Sequence, residues 1–218
     1  MAEFRFRHSW ARATHTGSMS KGEKGQGKNE GVLTDVFGED PRFLLEQGDL
    51  NTYQTFRHQE PNLVSIVDGK PDMAKDLDAL VLRMEGNPVG AVSFLVQANP
   101  RKTPPFDSYG RIDIVVVPES SRGAGLGRLL LLSATLTLLR DHGSSLYSIS
   151  CLAAHPAVAA VLESVGYTPE HRGNSDFVHE ELRLEGEDRP GLERDFSTRL
   201  RGSFQQVRYA LRQKNTNG

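Results

Sequence analysis

The spacing of apolar residues changes along the chain, and each change marks an element. Apolar and polar positions alternate from Leu77 to Glu85, Glu85-Gly86-Asn87-Pro88 has the composition of a turn, and alternation resumes from Val89 to Val96. This pattern predicts a β-hairpin. Arg111 to Val117 contains Ile112, Ile114, Val115, Val116 and Val117, a β-branched run too apolar for a half-exposed strand. It belongs in the middle of a sheet. Asn99 to Tyr109, with Pro100, Pro104 and Pro105, predicts an exposed connection between strands. Leucine-rich Leu126 to Arg140, closed by Asp141-His142-Gly143, predicts a buried helix with a glycine cap. Next come a strand over Ser145 to Ala153, a helix over Pro156 to Val165 with proline in its first turn and Gly166 at its end, and a late strand over Val178 to Leu184. The order hairpin, strand, helix, strand, helix, strand implies an α/β architecture with a mixed sheet flanked by helices.

The two ends read differently. From Val32 to Gln59 the apolar residues are loosely helical in spacing but broken by Gly38, Pro41, Gly48 and Asp49, which predicts short helices joined by turns. Residues 1 to 30 form a separate segment: Phe4-Arg5-Phe6-Arg7 suits either an edge strand or an irregular start, and Gly17 to Gly31 has the composition of a flexible tail. Beyond Gly191, Leu192, Phe196, Leu200, Phe204, Val207 and Leu211 recur at spacings that place them on one face of a helix. Its other face carries Arg194, Arg199, Arg201, Arg208, Arg212 and Lys214. A basic amphipathic helix over 187–218 can dock on its own domain, pair with a second copy as a homodimer, or present arginines to nucleic acid or a membrane surface. Packing on itself or on a second copy is the leading expectation.

Composition narrows the class. At 218 residues, 37% hydrophobic and 25% charged, with a formal net charge of -2, the chain can bury a sizeable core and is not a globally basic nucleic-acid binder. Its longest apolar stretch, Leu129 to Leu139, is interrupted by Ser133, Thr135 and Thr137 and falls short of the ~20 residues of a membrane span. Met1 to Gly17 has no apolar core of a secretory signal, and the single cysteine, Cys151, suits a reducing compartment, so a cytoplasmic location is expected.

The segment that carries chemistry is Val115 to Leu130. A strand delivers the chain to a glycine-spaced turn that opens a long apolar helix, and such a turn aims successive backbone N–H groups at one spot, where an anion is favoured. Gly123, Gly125 and Gly127 allow close approach to the main chain, while Arg122 and Arg128 add positive charge. Gly127-Arg128-Leu129 lacks the Lys-Ser/Thr of a nucleotide-binding P-loop, and the glycine spacing does not fit a dinucleotide fingerprint.

Arg122-Gly123-Ala124-Gly125-Leu126-Gly127 resembles the R/Q-x-x-G-x-G/A acetyl-CoA motif of the GNAT superfamily of N-acyltransferases. The hairpin segment Glu85 to Ser93 is similar to the family's second and third strands, and Ala159 to Tyr167 to its last helix, so the likeness spans about residues 77 to 184. It implies a mixed, mostly antiparallel twisted sheet over an acyltransferase domain of residues 31–186, with the C-terminal helix as an addition. It also implies that acetyl-CoA is the co-substrate, that residues 122 to 127 wrap its pyrophosphate, and that the backbone of Val115 and Val117 pairs with the pantetheine arm where strands splay apart. No metal is expected.

Two departures from the family pattern bear on mechanism. His155 stands where many members carry Asn, and could cap the helix, touch the cofactor or act as an acid; Leu162 stands where many carry the tyrosine that protonates the departing thiolate. Tyr167 and Cys151 are expected in the core. For the base that removes the amine's proton, Asp113 is the candidate, being the one charge within the apolar run of the central strand. Its structural alternative is an ion pair with Arg111 or Arg83. The acceptor amine could be a small molecule or part of a macromolecule, and its contacts are expected from the loops in Val32 to Asp76 and Asn99 to Tyr109.

Overall fold

The computed structural model describes residues 33, 36–59, 65, 68, 70–153, 156–170, 178–184, 186 and 188–216. The N-terminal segment that suggested a strand or tail, and His155, lie outside them.

The hairpin forms as the alternation predicts. Strands β2 (Asp78–Met84) and β3 (Asn87–Ala98) are joined through Glu85 and Gly86, whose φ values are 53° and 80°. Positive φ at both central residues matches the twist of the flanking strands. The reversal is tighter than the four-residue turn the sequence suggests, and Asn87 and Pro88 open β3 instead.

Five more strands complete one sheet: β1 (Phe43–Gln47), β4 (Ser108–Val116), β5 (Leu146–Ala153), β6 (Thr168–Glu170) and β7 (Val178–Arg183). The order is β1-β2-β3-β4-β5-β7-β6, with the apolar strand β4 central, as expected. Only β4 and β5 run parallel; every other pair is antiparallel.

Helix α1 (Leu50–Gln59) lies on one face of the sheet, followed by the short α2 (Pro71–Ala74). Its Tyr53 and Phe56 pack on Ala79, Val81, Ala91, Leu95, Ile114 and Val116. The opposite face is covered by α3 (Leu126–His142) and α4 (Pro156–Ser164). Outside α3 lies α5 (Arg189–Thr216), so α3 is buried on nearly every side, which accounts for its lack of a polar face. Ser133, Thr135 and Thr137 bond back to the carbonyls of Leu129, Leu131 and Ser133 at 2.9 Å each, so their hydroxyls cost little in that setting.

The C-terminal helix uses its apolar face internally. Phe196, Leu200, Phe204 and Val207 are fully buried, and the Phe204 ring meets Phe37 and Phe43 edge-on at 4.9 and 5.1 Å. Along the rim, Arg208 pairs with Asp40 at 2.9 Å and Arg201 with Glu39 at 3.5 Å. Among the described residues no helix is long and apolar enough to cross a membrane.

The structure departs from the sequence pattern at three places. Residues 43–47 are a strand, not a helix: pairing of Phe43 to Gln47 with Met84 to Leu80 along the sheet edge outweighs the loose helical spacing. The three-residue β6, which the apolar pattern did not indicate, exists through its pairing with β7. Gly143 does follow α3, but in the right-handed helical conformation rather than as a left-handed cap.

Candidate active site

The turn between β4 and α3 begins with a single 3-10 turn, Glu119–Ser121. The Ser121 and Arg122 amides close on Pro118 and Glu119 carbonyls at 2.8 and 3.1 Å, and from Leu129 onward the amides enter the helical ladder. Between them, the amides of residues 123 to 128 make no hydrogen bond to another described residue. Unpaired N–H groups at the positive end of a 17-residue helix form an anion cradle.

The glycines serve this cradle in different ways. Gly123, at φ 82°, has open space where a Cβ would stand, and at Gly127 a Cβ would meet only Val117 Cγ2 at 3.9 Å. Gly125, at φ 83°, is needed for the left-handed bend, while a Cβ there would make only an ordinary contact with Val207 Cγ2 of α5 at 3.6 Å. Ala124 and Leu126 turn their side chains into the core, so only their main chain faces outward. The exposed Arg122 bonds through Nε to the Val117 carbonyl at 3.0 Å, laying its guanidinium across the mouth of the turn. The Nε of Arg128, one turn into α3, is buried without a hydrogen-bond partner among the described residues.

Beside the turn the sheet opens. The parallel register of β4 with β5 ends at Ile112 and Cys151, while β4 continues to Val116. From Ile114 to Val116 the strand pairs, among the described residues, only with β3, which leaves the β5 side of Val115 and its neighbours without a strand partner there. An extended ligand arm fits such a wedge as a surrogate strand.

Asp113 stands at the start of the wedge. The register of β3 against β4 shifts there: Ser93 faces Ile114 and Phe94 faces Ile112, so Asp113 is the extra residue of a β-bulge. The bulge turns Asp113 and Ile114 to the same side, toward α1, whereas Ile112 and Val115 pack on the α3 side. Two hydroxyls converge on Asp113 Oδ2, Ser65 at 2.5 Å and Ser93 at 3.4 Å. The buried Tyr53 hydroxyl lies beside Ser93 and Asp113 without a well-formed hydrogen bond, and burial, with the negative charge of Asp113, raises its pKa above the ordinary tyrosine range. Arg83, an expected ion-pair alternative, is engaged by Glu46 and Asp49 instead.

Sequence reasoning missed Ser65 and Tyr53. Ser93 carried a weak signal, a lone hydroxyl within an apolar strand.

Tyr167 is a core residue, as expected: its hydroxyl bonds Thr135 Oγ1 at 2.9 Å and burial drives its pKa far upward. Leu162 is equally buried, so α4 offers no tyrosine acid. Burial pushes the Cys151 thiol up to about 12, which makes it inert as a nucleophile.

A glycine turn with unpaired amides between the central strand and a long helix, a parallel pair that splays beside it, and the hairpin and last helix in their places together decide the architecture. This is a GNAT fold. No family model and no curated protein sequence matches the chain. Among solved structures, it is similar to an uncharacterized protein from Bacillus halodurans (13% identity, TM-score 0.49, covering 72% of this chain and 91% of that one). A spermidine/spermine N-acetyltransferase from Vibrio cholerae has 12% identity and a TM-score of 0.48, with 66% and 95% covered. A putative acetyltransferase from Salmonella typhimurium, solved with acetyl-CoA, has 17% identity and a TM-score of 0.46, with 67% and 96% covered.

Proposed function

We propose that the protein is an acyl-CoA-dependent N-acyltransferase that transfers an acyl group, acetyl in the first instance, to a primary amine by direct attack. The observation that carries this reading is the row of unpaired amides from 123 to 128, open at Gly123 and Gly127 and adjoining a splayed strand pair. The amides and Arg122 suit a diphosphate, and the wedge from Asp113 to Val117 suits an extended arm ending near the bulge. The bound co-substrate supplies an activated thioester; the chain supplies position and proton transfer.

Asp113 is the proton acceptor in this reading. As the amine nitrogen bonds to the acyl carbon, the carbon–sulfur bond breaks, the sulfur leaves with the electron pair, and the nitrogen's surplus proton passes to the Asp113 carboxylate. An ammonium has no lone pair, so turnover requires the neutral amine. Main-chain N–H groups of the unpaired part of β4 are available to polarise the acyl oxygen.

Gly127 gives the cleanest test of the cradle. A Cβ there meets no backbone strain and only Val117 Cγ2 at 3.9 Å, and a leucine adds four carbons beside the amides. Gly127→Leu is expected to abolish CoA binding in a calorimetric titration while the melting temperature is retained; unchanged affinity would remove the assignment. Gly125 variants are less informative because a side chain there also strains the left-handed bend.

A further inference from the structure

We propose that Ser65 is a positioning residue for Asp113, its hydroxyl fixing the carboxylate in the orientation that receives the amine's proton. The proposal rests on Asp113 being the base. Asp113 needs such a support because it is a bulge residue: the regular sheet neighbours that orient a side chain on β4 are displaced there. Ser65, itself buried, donates to Oδ2 at 2.5 Å from 48 residues away in the chain, and Ser93 approaches the same oxygen more weakly from β3 at 3.4 Å.

The Ser65 backbone is tied to α1 through Asp68. Asp68 accepts from the Ser65 amide at 3.0 Å, and the Asp68 amide donates back to the Ser65 carbonyl at 3.1 Å, closing a turn on itself. Asp68 is in turn ion-paired with Arg57 of α1. Arg57 therefore fixes Asp68, Asp68 fixes the Ser65 backbone, and Ser65 fixes Asp113. One turn back on α1, Tyr53 packs on the same side of the sheet, so α1, Ser65 and the bulge are linked. A group that must accept a proton at one atom gains from being held to within a fraction of an ångström.

The test is steady-state thioester consumption by the full chain, with acetyl-CoA and a panel of spermidine, phenethylamine and a tripeptide, accompanied by calorimetric CoA titration. Ser65→Ala is expected to lower kcat by about tenfold or more, as for loss of a hydrogen bond to a charged group, with CoA affinity and acetyl-CoA KM unchanged. Ser65→Thr, which keeps the hydroxyl, restores most of the loss. The Asp113→Asn/Ser65→Ala double variant is no slower than Asp113→Asn alone, because a positioning residue has nothing left to position. Asp68→Asn, at an exposed position, gives a smaller kcat loss in the same direction and keeps the experiment decisive should Ser65→Ala fold poorly.

A wild-type kcat in Ser65→Ala, or a loss shared equally by CoA affinity, would overturn the proposal while leaving Asp113 as base. Absent wild-type turnover with every amine, or full activity in Asp113→Asn, would instead overturn the reading it rests on.

Discussion

The two faces of the central sheet are built from different materials. On the α3 side leucine, isoleucine, valine and phenylalanine dominate, and the buried hydroxyls of Ser133, Thr135 and Thr137 return to their own helix, although Thr135 also meets the Tyr167 hydroxyl and Glu180 is buried opposite Cys151. On the α1 side Ser93, Asp113, Ser65 and the Tyr53 hydroxyl gather in the interior, tied to segments distant in sequence. Buried polar groups lower stability unless matched, so the convergence of four such side chains from separate segments beside the bulge of the central strand sets that place apart as the part of the molecule that can act on a substrate. The glycine turn lies where the two meet: Ala124 and Leu126 anchor it in the apolar face, and its amides look outward.

Breaking the apolar side should cost stability and little else. Phe204→Ala removes a fully buried ring that joins α5 to Phe37 and Phe43, and is expected to lower the unfolding free energy by about 3–5 kcal/mol in urea. Turnover per folded molecule should change little. Breaking the polar side should do the reverse: Asp113→Asn is expected to reduce kcat by about a hundredfold with CoA affinity intact. If the two variants exchanged signatures, the division between the faces would fall.

Acid offers a smaller perturbation of the apolar side. The Arg42 guanidinium, with Arg208 of α5 adding to it, holds the Asp40 carboxyl well below the usual carboxylate range. Because its folded-state pKa is depressed, the stability it contributes is present in full above the unfolded value of about 3.9 and is lost as pH falls below that. The melting-temperature gap between wild type and Asp40→Asn should therefore narrow from pH 6 to pH 3. A gap that widened would contradict the pairing. The smallest effect is expected at Cys151: a buried thiol raised to about 12 should resist iodoacetamide in the native protein at pH 7.5 and react only on unfolding.

Legibility in the sequence followed the range of the forces involved. The hairpin, β4, α3, β5, α4, β7 and α5 are readable because each carries its own local signal, a periodicity or, in β4 and α3, a mainly apolar run. The edge strands β1 and β6 are not, since Phe43–Gln47 and Thr168–Glu170 become strands only by pairing with β2 and β7. The site divides along the same line. Its glycine turn and Asp113 stand out locally, one by spacing and the other as a charge among β-branched residues. Ser65 and Tyr53 join the site only through tertiary contact, and no local pattern distinguishes them from other polar residues of that stretch. Gly125 shows the converse: its spacing suggests ligand approach, while its surroundings show a bend packed against Val207.

Whether main-chain amides at the start of α3 grip a diphosphate is read directly by amide-resolved NMR of the isotopically labelled chain during a CoA titration. The largest shifts are expected at residues 123 to 128, with smaller ones along Asp113 to Val117. Saturable binding that leaves the 123–128 amides unmoved, or no binding at all, would contradict that grip.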